Sequence, residues 1–197
     1  MVILHTITLE HTLPSHSVHV SLFCNIKNAS FLLEQLRLGN VHYEYAFIDA
    51  QVILSSVHLF SACFRAISCQ ITNKLKTRNI HSEVVFSLSP RNNIATAFLN
   101  FGITAKTNDL IVVKISDLTQ HDSIKDHLSN IIEGEAEDFS DIALANITNW
   151  RRVHKLYSVT EITKAEELEK KKNPKRAEIS EIELLIIGTI ALKGATN

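Results

Sequence analysis

The segment KLKTRNIHSEVVFSLSPRNNIATAFLNFG, Lys74 to Gly102, decides how this chain is read. It opens on a basic loop holding Lys74, Lys76 and Arg78. The apolar run Glu83 to Leu88, with the β-branched pair Val84 and Val85, has the length of a buried strand and predicts one, ended by Pro90. Asn92 or Asn93 then caps a helix. In it Ile94, Ala97, Phe98 and Phe101 fall at i, i+3, i+4 and i+7, so all four share a face. Gly102 suits the left-handed position that closes such a helix, with Ile103 folding back on Phe98 or Leu99. No residue pattern here is catalytic. The triplet His81-Ser82-Glu83 reads as a turn and strand start, with Glu83 holding Arg78 or capping the nearby loop.

Outward from this segment the pattern alternates between strands and helices. Val2 to Leu9 alternates apolar and polar residues and predicts a strand. His19 to Cys24 predicts its hairpin partner across the turn at Pro14-Ser15. Asn28 caps a helix over 29–38 that stops at Gly39-Asn40. Tyr45 to Ile48 is a strand end or a buried loop. Leu54 to Leu75 is the longest helical pattern, capped by Ser55 or Ser56, with Val57, Phe60, Phe64, Ile67, Ile71 and Leu75 at helical spacing. Leu110 to Ile115 is nearly continuous apolar sequence and predicts a central strand. A helix follows from Asp122 or Ser123 to about Ile132. Five acids and no base occupy 133–141, and a second helix spans Ile147 to Tyr157. The fold class expected is mixed α/β (α+β): one domain over 1–197, with a small mainly antiparallel or mixed sheet of about four strands flanked by helices.

Composition narrows the function. The 197 residues carry 20 Lys+Arg against 21 Asp+Glu, a net charge of −1, so contact with nucleic acid must rest on local patches. Cys24, Cys63 and Cys69 form no C-x-x-C pair, which fits a reducing compartment rather than a disulfide scaffold or zinc site. The N-terminus has no secretory-leader pattern, and the longest apolar run falls well short of the roughly 20 residues of a membrane span. There is no glycine-rich phosphate loop, no paired-histidine metal spacing and no nucleophile elbow, so no cofactor, metal or catalytic residue is assigned. Two basic clusters remain, with few acids nearby: Lys74, Lys76, Arg78 and Arg91 around the predicted strand, and Arg151, Arg152 and Lys155 beside Trp150. Both have the character of phosphate contacts, though a solvated surface is the simpler reading of either alone.

About 161–178 is almost wholly charged and reads as a mobile linker. Its KKKNPKR string has the composition of a nuclear-import signal, with a solvated charge run the simpler reading. A closing helix follows over 180–193, opened by the capping box Ser180-Glu181-Ile182-Glu183. Its apolar residues circle the axis: Ile182, Ile186 and Ile190, then Leu184, Ile187 and Ala191, then Leu185 and Leu192. Such a helix is either inserted in its own core or covered by a partner protein.

The run K-x-R-N-x-x-S-E (Lys76, Arg78, Asn79, Ser82, Glu83), followed by L-S-P-x-x-N-I-x-x-A-F-x-x-F-G-I (Leu88 to Ile103), resembles the PRPK-binding protein family, the small non-catalytic subunit of the KEOPS (EKC) complex. Val20 to Ala29, Val153 to Tyr157 and Ile186 to Gly194 are similar to further family segments. The resemblance implies a small mixed α/β domain without enzymatic activity that binds and regulates the atypical kinase subunit directly. It meets the other subunits indirectly and supports threonylcarbamoylation of the adenosine beside the anticodon. It also implies recruitment of tRNA by its 3′ CCA end, residence in nucleus and cytoplasm without membrane contact and, in fungi, links to telomere maintenance and transcription. The kinase contact carried over falls on Ile182, Ile186, Ile187 and Ile190; charge alone, not the resemblance, nominates Lys74, Lys76, Arg78, Arg91, Arg151 and Arg152 for the tRNA contact. A free-standing RNA-binding module and a small enzyme of unknown class are the alternatives.

Overall fold

LIVVKIS, Leu110–Ser116, is apolar on both faces because helices cover both faces of the strand it forms. The computed structural model describes residues 2–158 and 176–194, with the side chains of the closing helix described from Glu181 onward. Strands β1 (His5–Ile7), β2 (Ser17–Cys24), β3 (Ala46–Asp49), β4 (Leu110–Ser116) and β5 (Glu135–Glu137) pair antiparallel in the order β1-β2-β4-β3, and β5 adds to the other end of β2. The helices are α1 (Ala29–Leu38), α2 (Ser56–Ile71), α3 (Ile80–Leu88), α4 (Ile94–Phe101), α5 (His121–Ile131), α6 (Asp141–Ile147), α7 (Trp150–Tyr157) and α8 (Arg176–Leu192). The fold is a mixed α/β domain, as expected. β4 is central and β1–β2 form the expected hairpin. The fifth strand, cut from the acidic stretch, was not foreseen.

The period of two along the strands divides the interior. Val18, Val20, Leu22, Ile48, Ile111, Val113 and Ile115 face a core built with α2, α3, α6, α7 and α8. Phe23, Phe47, Leu110 and Val112 face a second core closed by α1 and α5. Gly39 ends α1 at φ 68°, the left-handed region that favours glycine.

Four local expectations are corrected. Residues 83–88 are helical, not a strand: the Asn79 side chain accepts from the Ser82 amide and opens α3. The helix is buried along nearly its whole length, so it lacks the polar face that would have marked its period. Gly102 is extended (φ −78°, ψ 171°), not left-handed. It is needed for close approach, since a Cβ there would stand 2.7 Å from the Phe98 carbonyl oxygen. It carries the chain onto the edge of β3, bridging Ile48, and the Ile103 amide donates to Phe47 rather than folding back on α4. α2 turns a different side inward from the one its large residues mark: His58, Leu59, Ala62, Cys63, Ala66 and Ile67 are buried, while Val57, Phe64 and Ile71 are exposed. Finally, α8 starts at Arg176, so Ser180 lies inside the helix instead of capping it, and the Glu183 carboxylate accepts from the Ser55 hydroxyl, the cap of α2. The rest of the charged stretch read as a linker, through 175, lies outside the described residues.

A buried relay joins three helices of the first core. The Leu54 amide donates to His58 Nδ1 (3.3 Å), His58 Nε2–H donates to Tyr157 Oη (2.9 Å), and the Tyr157 hydroxyl donates to the Leu88 carbonyl (2.6 Å). Only one tautomer of neutral His58 satisfies this chain. Burial holds the His58 imidazole down to about 3. His81, whose Nε2 accepts from the Ile115 amide (3.1 Å), is lowered to about 3 by burial and then by Lys114. Both folded values lie below the unfolded value of about 6.5, so the unfolded chain takes up the protons first. Stability is therefore fully present above pH 6.5 and falls as pH drops toward 3, by about 1.4 kcal/mol per pH unit for each histidine. Urea unfolding midpoints at pH 7, 6 and 5 should decline, and a His58→Gln variant should show roughly half the slope. A flat profile over that range would contradict the assignment.

Candidate functional site

Two surfaces of this fold are candidates for a binding site. The first lies where α8 packs on α2. Ile182, Ile186 and Ile190 are 1, 0 and 2 % exposed and point into the first core, each burial contributing about 2 kcal/mol. The opposite side of α8 stays open: Leu184 and Leu192 are exposed and Ile187 is half-buried. Val57, Phe60 and Phe64 of α2 continue this surface, and with Ile187, Ala191 and Leu9 they line an apolar groove of about 610 Å³. Of the four isoleucines expected at a partner surface, three therefore hold the helix to its own domain and Ile187 faces outward. The residues missed in the sequence are Val57, Phe60 and Phe64. Their helical spacing was visible, but core and interface faces carry the same pattern.

The second surface surrounds the start of α3. Lys74, Lys76 and Arg78 are exposed, as expected of a basic loop. The loop's backbone is held from within. Glu83 is fully buried, and its Oε2 accepts from the Lys76 amide (3.0 Å), the Thr77 amide (2.9 Å) and the Thr77 hydroxyl (2.8 Å). Its Oε1 faces the Arg65 guanidinium at 3.8 Å. Glu83 thus caps the loop and holds an arginine of α2, while Arg78 lies against Gly39 at the end of α1. Beside the loop, α1, α3, α4 and the edge of β3 enclose a cavity of about 550 Å³. Its walls include Leu33, Leu36, Phe47, Val85 and Phe98, with Arg37 and His81 among the few polar groups. Because His81 Nε2 accepts from Ile115, its Nδ1 carries the proton, and that buried donor has no acceptor among the described residues. Among the described residues no three His, Cys, Asp or Glu converge as a metal site, and no helix is long and apolar enough to cross a membrane.

The sequence profile of the family described as kinase binding protein CGI-121 matches residues 23–194. The chain belongs to that family. Its relatives include the EKC/KEOPS complex subunit CGI121 of Coccidioides immitis (strain RS), 42 % identical over 207 residues and covering 100 % of both chains. The EKC/KEOPS complex subunit cgi121 of Aspergillus terreus is 45 % identical over 197 residues, 98 % of each chain. The Schizosaccharomyces pombe subunit of the same description is 37 % identical over 147 residues, 74 % of this chain and 84 % of its own. The match spans the basic loop, the cavity and the described part of the closing helix through Gly194, while Leu9, Glu10 and His11 of the groove precede it.

The second basic cluster of this CGI-121 family member divides once it is folded. Arg152 Nη1 pairs with Asp49 (2.8 Å) and the Gln51 side chain (3.1 Å), which ties α7 to the end of β3. It is a structural clamp and not a free cation. Arg151 and Lys155 are exposed. Lys155 and Arg91, far apart in sequence, line one small polar depression of about 170 Å³ with Ser89 and Asn100. Replacing Arg152 with Met leaves the nearly buried Asp49 carboxylate without its counter-charge. Urea unfolding should show a loss of about 2–4 kcal/mol, against a change within 0.5 kcal/mol for Arg151→Ala.

Proposed function

We propose that the chain is the non-catalytic, kinase-binding subunit of an EKC/KEOPS complex, and that it holds the atypical kinase through the outer side of α2 and α8. The observation that carries this reading is the apolar groove of Val57, Phe60, Phe64 and Ile187, with Leu184 and Leu192 exposed on the same helix, in a chain of a kinase-binding family. A surface of this kind on an otherwise well-packed domain marks a protein contact. Ile182, Ile186 and Ile190 keep the helix rigidly presented, and Ile187 makes the contact. Gly188 belongs to the same side: a Cβ there would meet nothing within 4 Å, so the gap it leaves suits a close backbone approach by the partner.

The same reading gives the chain a role in recruiting tRNA for threonylcarbamoylation beside the anticodon. Lys74, Lys76 and Arg78 contact phosphates, and the adjoining cavity takes bases of the unpaired CCA end. The apolar walls and the unused His81 donor support that use, because single-stranded RNA is bound through splayed bases on apolar or aromatic surfaces together with a few polar groups. Arg91, Lys155 and Arg151 lie beyond the other end of α3 as secondary phosphate contacts. The protein works in nucleus and cytoplasm, and any influence on telomeres or transcription follows from the assembled complex.

Ile187→Glu should place a charge in the apolar contact while leaving the fold intact. Calorimetry with the kinase subunit should show affinity lower by about 30-fold or more. Ile186→Glu should instead prevent folding. A folded Ile187→Glu protein with undiminished kinase affinity would reject the surface. For RNA, alanine at Lys74, Lys76 and Arg78 together should weaken tRNA binding and reduce the salt slope by about 2 to 3, near 0.7–0.9 per phosphate lost. An unchanged slope would remove the loop from the interface.

A further inference from the structure

Arg65 lies in the groove and reaches the basic loop through Glu83. It lines the α2–α8 groove, yet only 17 % of its side chain is exposed. Its Nη2 donates to the Lys193 carbonyl at the end of α8 (2.7 Å), and its Nη1 donates to the Ser87 hydroxyl (3.2 Å) and faces Glu83 at 3.8 Å. Glu83 in turn holds the Lys76 and Thr77 amides of the basic loop. One guanidinium and one carboxylate therefore span the distance from groove to loop. Lys193 completes the cluster: its ammonium donates to the Phe86 carbonyl and lies 3.3 Å from the centroid of the Phe86 ring.

We infer that Arg65 and Glu83 are positioning residues that couple the two surfaces, so that a protein seated in the groove tightens the hold of the Lys74–Arg78 loop on RNA. This rests on the kinase and tRNA reading above and adds its regulation. The physical cause is solvent. A partner covering the groove strips water from Arg65 and lowers the dielectric around a charge pair that sits, at 3.8 Å, near the limit of direct contact. The attraction grows, Glu83 is drawn more firmly into place, and its three bonds to Lys76 and Thr77 fix the loop. A fixed loop loses less freedom on meeting RNA, so it binds more tightly.

The test uses the full chain, the kinase subunit and hydrogen exchange at the Lys76 and Thr77 amides without RNA present. Kinase binding should slow exchange at both amides at least fivefold in the wild type and less than twofold in a Glu83→Gln variant, which keeps an acceptor for the loop and loses the charge. In parallel, tRNA affinity with and without kinase should differ at least fivefold for the wild type, a coupling of ordinary size, and the ratio should fall toward one for Glu83→Gln. Capture of the kinase with unaltered exchange, or an equal effect in Glu83→Gln, overturns the coupling and leaves the functional reading standing. Failure to capture the kinase at all overturns both.

Discussion

A carboxylate with no exposure to water sits at the centre of this structure. Burying Glu83 is costly unless every lone pair finds a donor or a counter-charge. The molecule meets that demand on one oxygen with donors from the 74–79 loop, two amides and a hydroxyl, and on the other, which accepts no hydrogen bond among the described residues, with the counter-charge of an α2 guanidinium at 3.8 Å. The carboxylate also lies in the first turn of α3, where a negative charge is favoured by the helix dipole. Arg65, recruited this way, has an arm left for the carbonyl that ends α8. The loop's geometry, the packing of α3 on α2 and the anchoring of the last helix thus depend on one another.

What was legible in the sequence follows from which signals are local. β2, β4, α1 and α2 were readable because alternation, continuous burial, the Gly39 stop or the Ser55 cap lies within each segment, although Asn28 opens α1 without the side-chain cap expected of it and bonds Ile131 and Glu133 instead. α3 was not readable, because full burial erased its amphipathic period and its β-branched residues imitate a strand. Its cap, Asn79, is the one local helix signal, and the apolar run it opens reads as a strand. The site was legible in part. The basic loop was found by charge and is exposed as expected. Arg152 carries the same charge and is spent on Asp49, a pairing across about a hundred residues of sequence that no local pattern announces.

The closing helix shows the same limit. An apolar girdle calls for burial on every side and does not say by what. Here the inward isoleucines satisfy one side against α2 and the core, while Leu184 and Leu192 are exposed and Ile187 is half-buried on the other. Full insertion in its own core therefore does not describe the helix: one side is core and the other is uncovered. The misjudged face of α2 has the same origin. Its small and medium residues, Ala62, Cys63 and Ala66, let neighbouring elements pack close and are buried. The bulky Val57 and Phe64 are displaced to the rim, where they extend the outer side of α8.

Reading 80–88 as a helix also changes what the segment can do. On a strand, His81, Glu83, Val85 and Ser87 would share a face. At 100° per residue, His81, Ser82 and Val85 instead share one flank, and Glu83, Phe86 and Ser87 the other. The first flank lines the cavity at the edge of β3, where His81 also takes up the Ile115 amide that lies past the last β3–β4 pair. The second meets Arg65 and Lys193 behind the groove. α3 therefore lines the cavity with one flank and with the other meets Arg65, a lining residue of the groove. A nine-residue helix without a polar face is the element one expects there, because each of its sides is needed for contact and none is left for solvent.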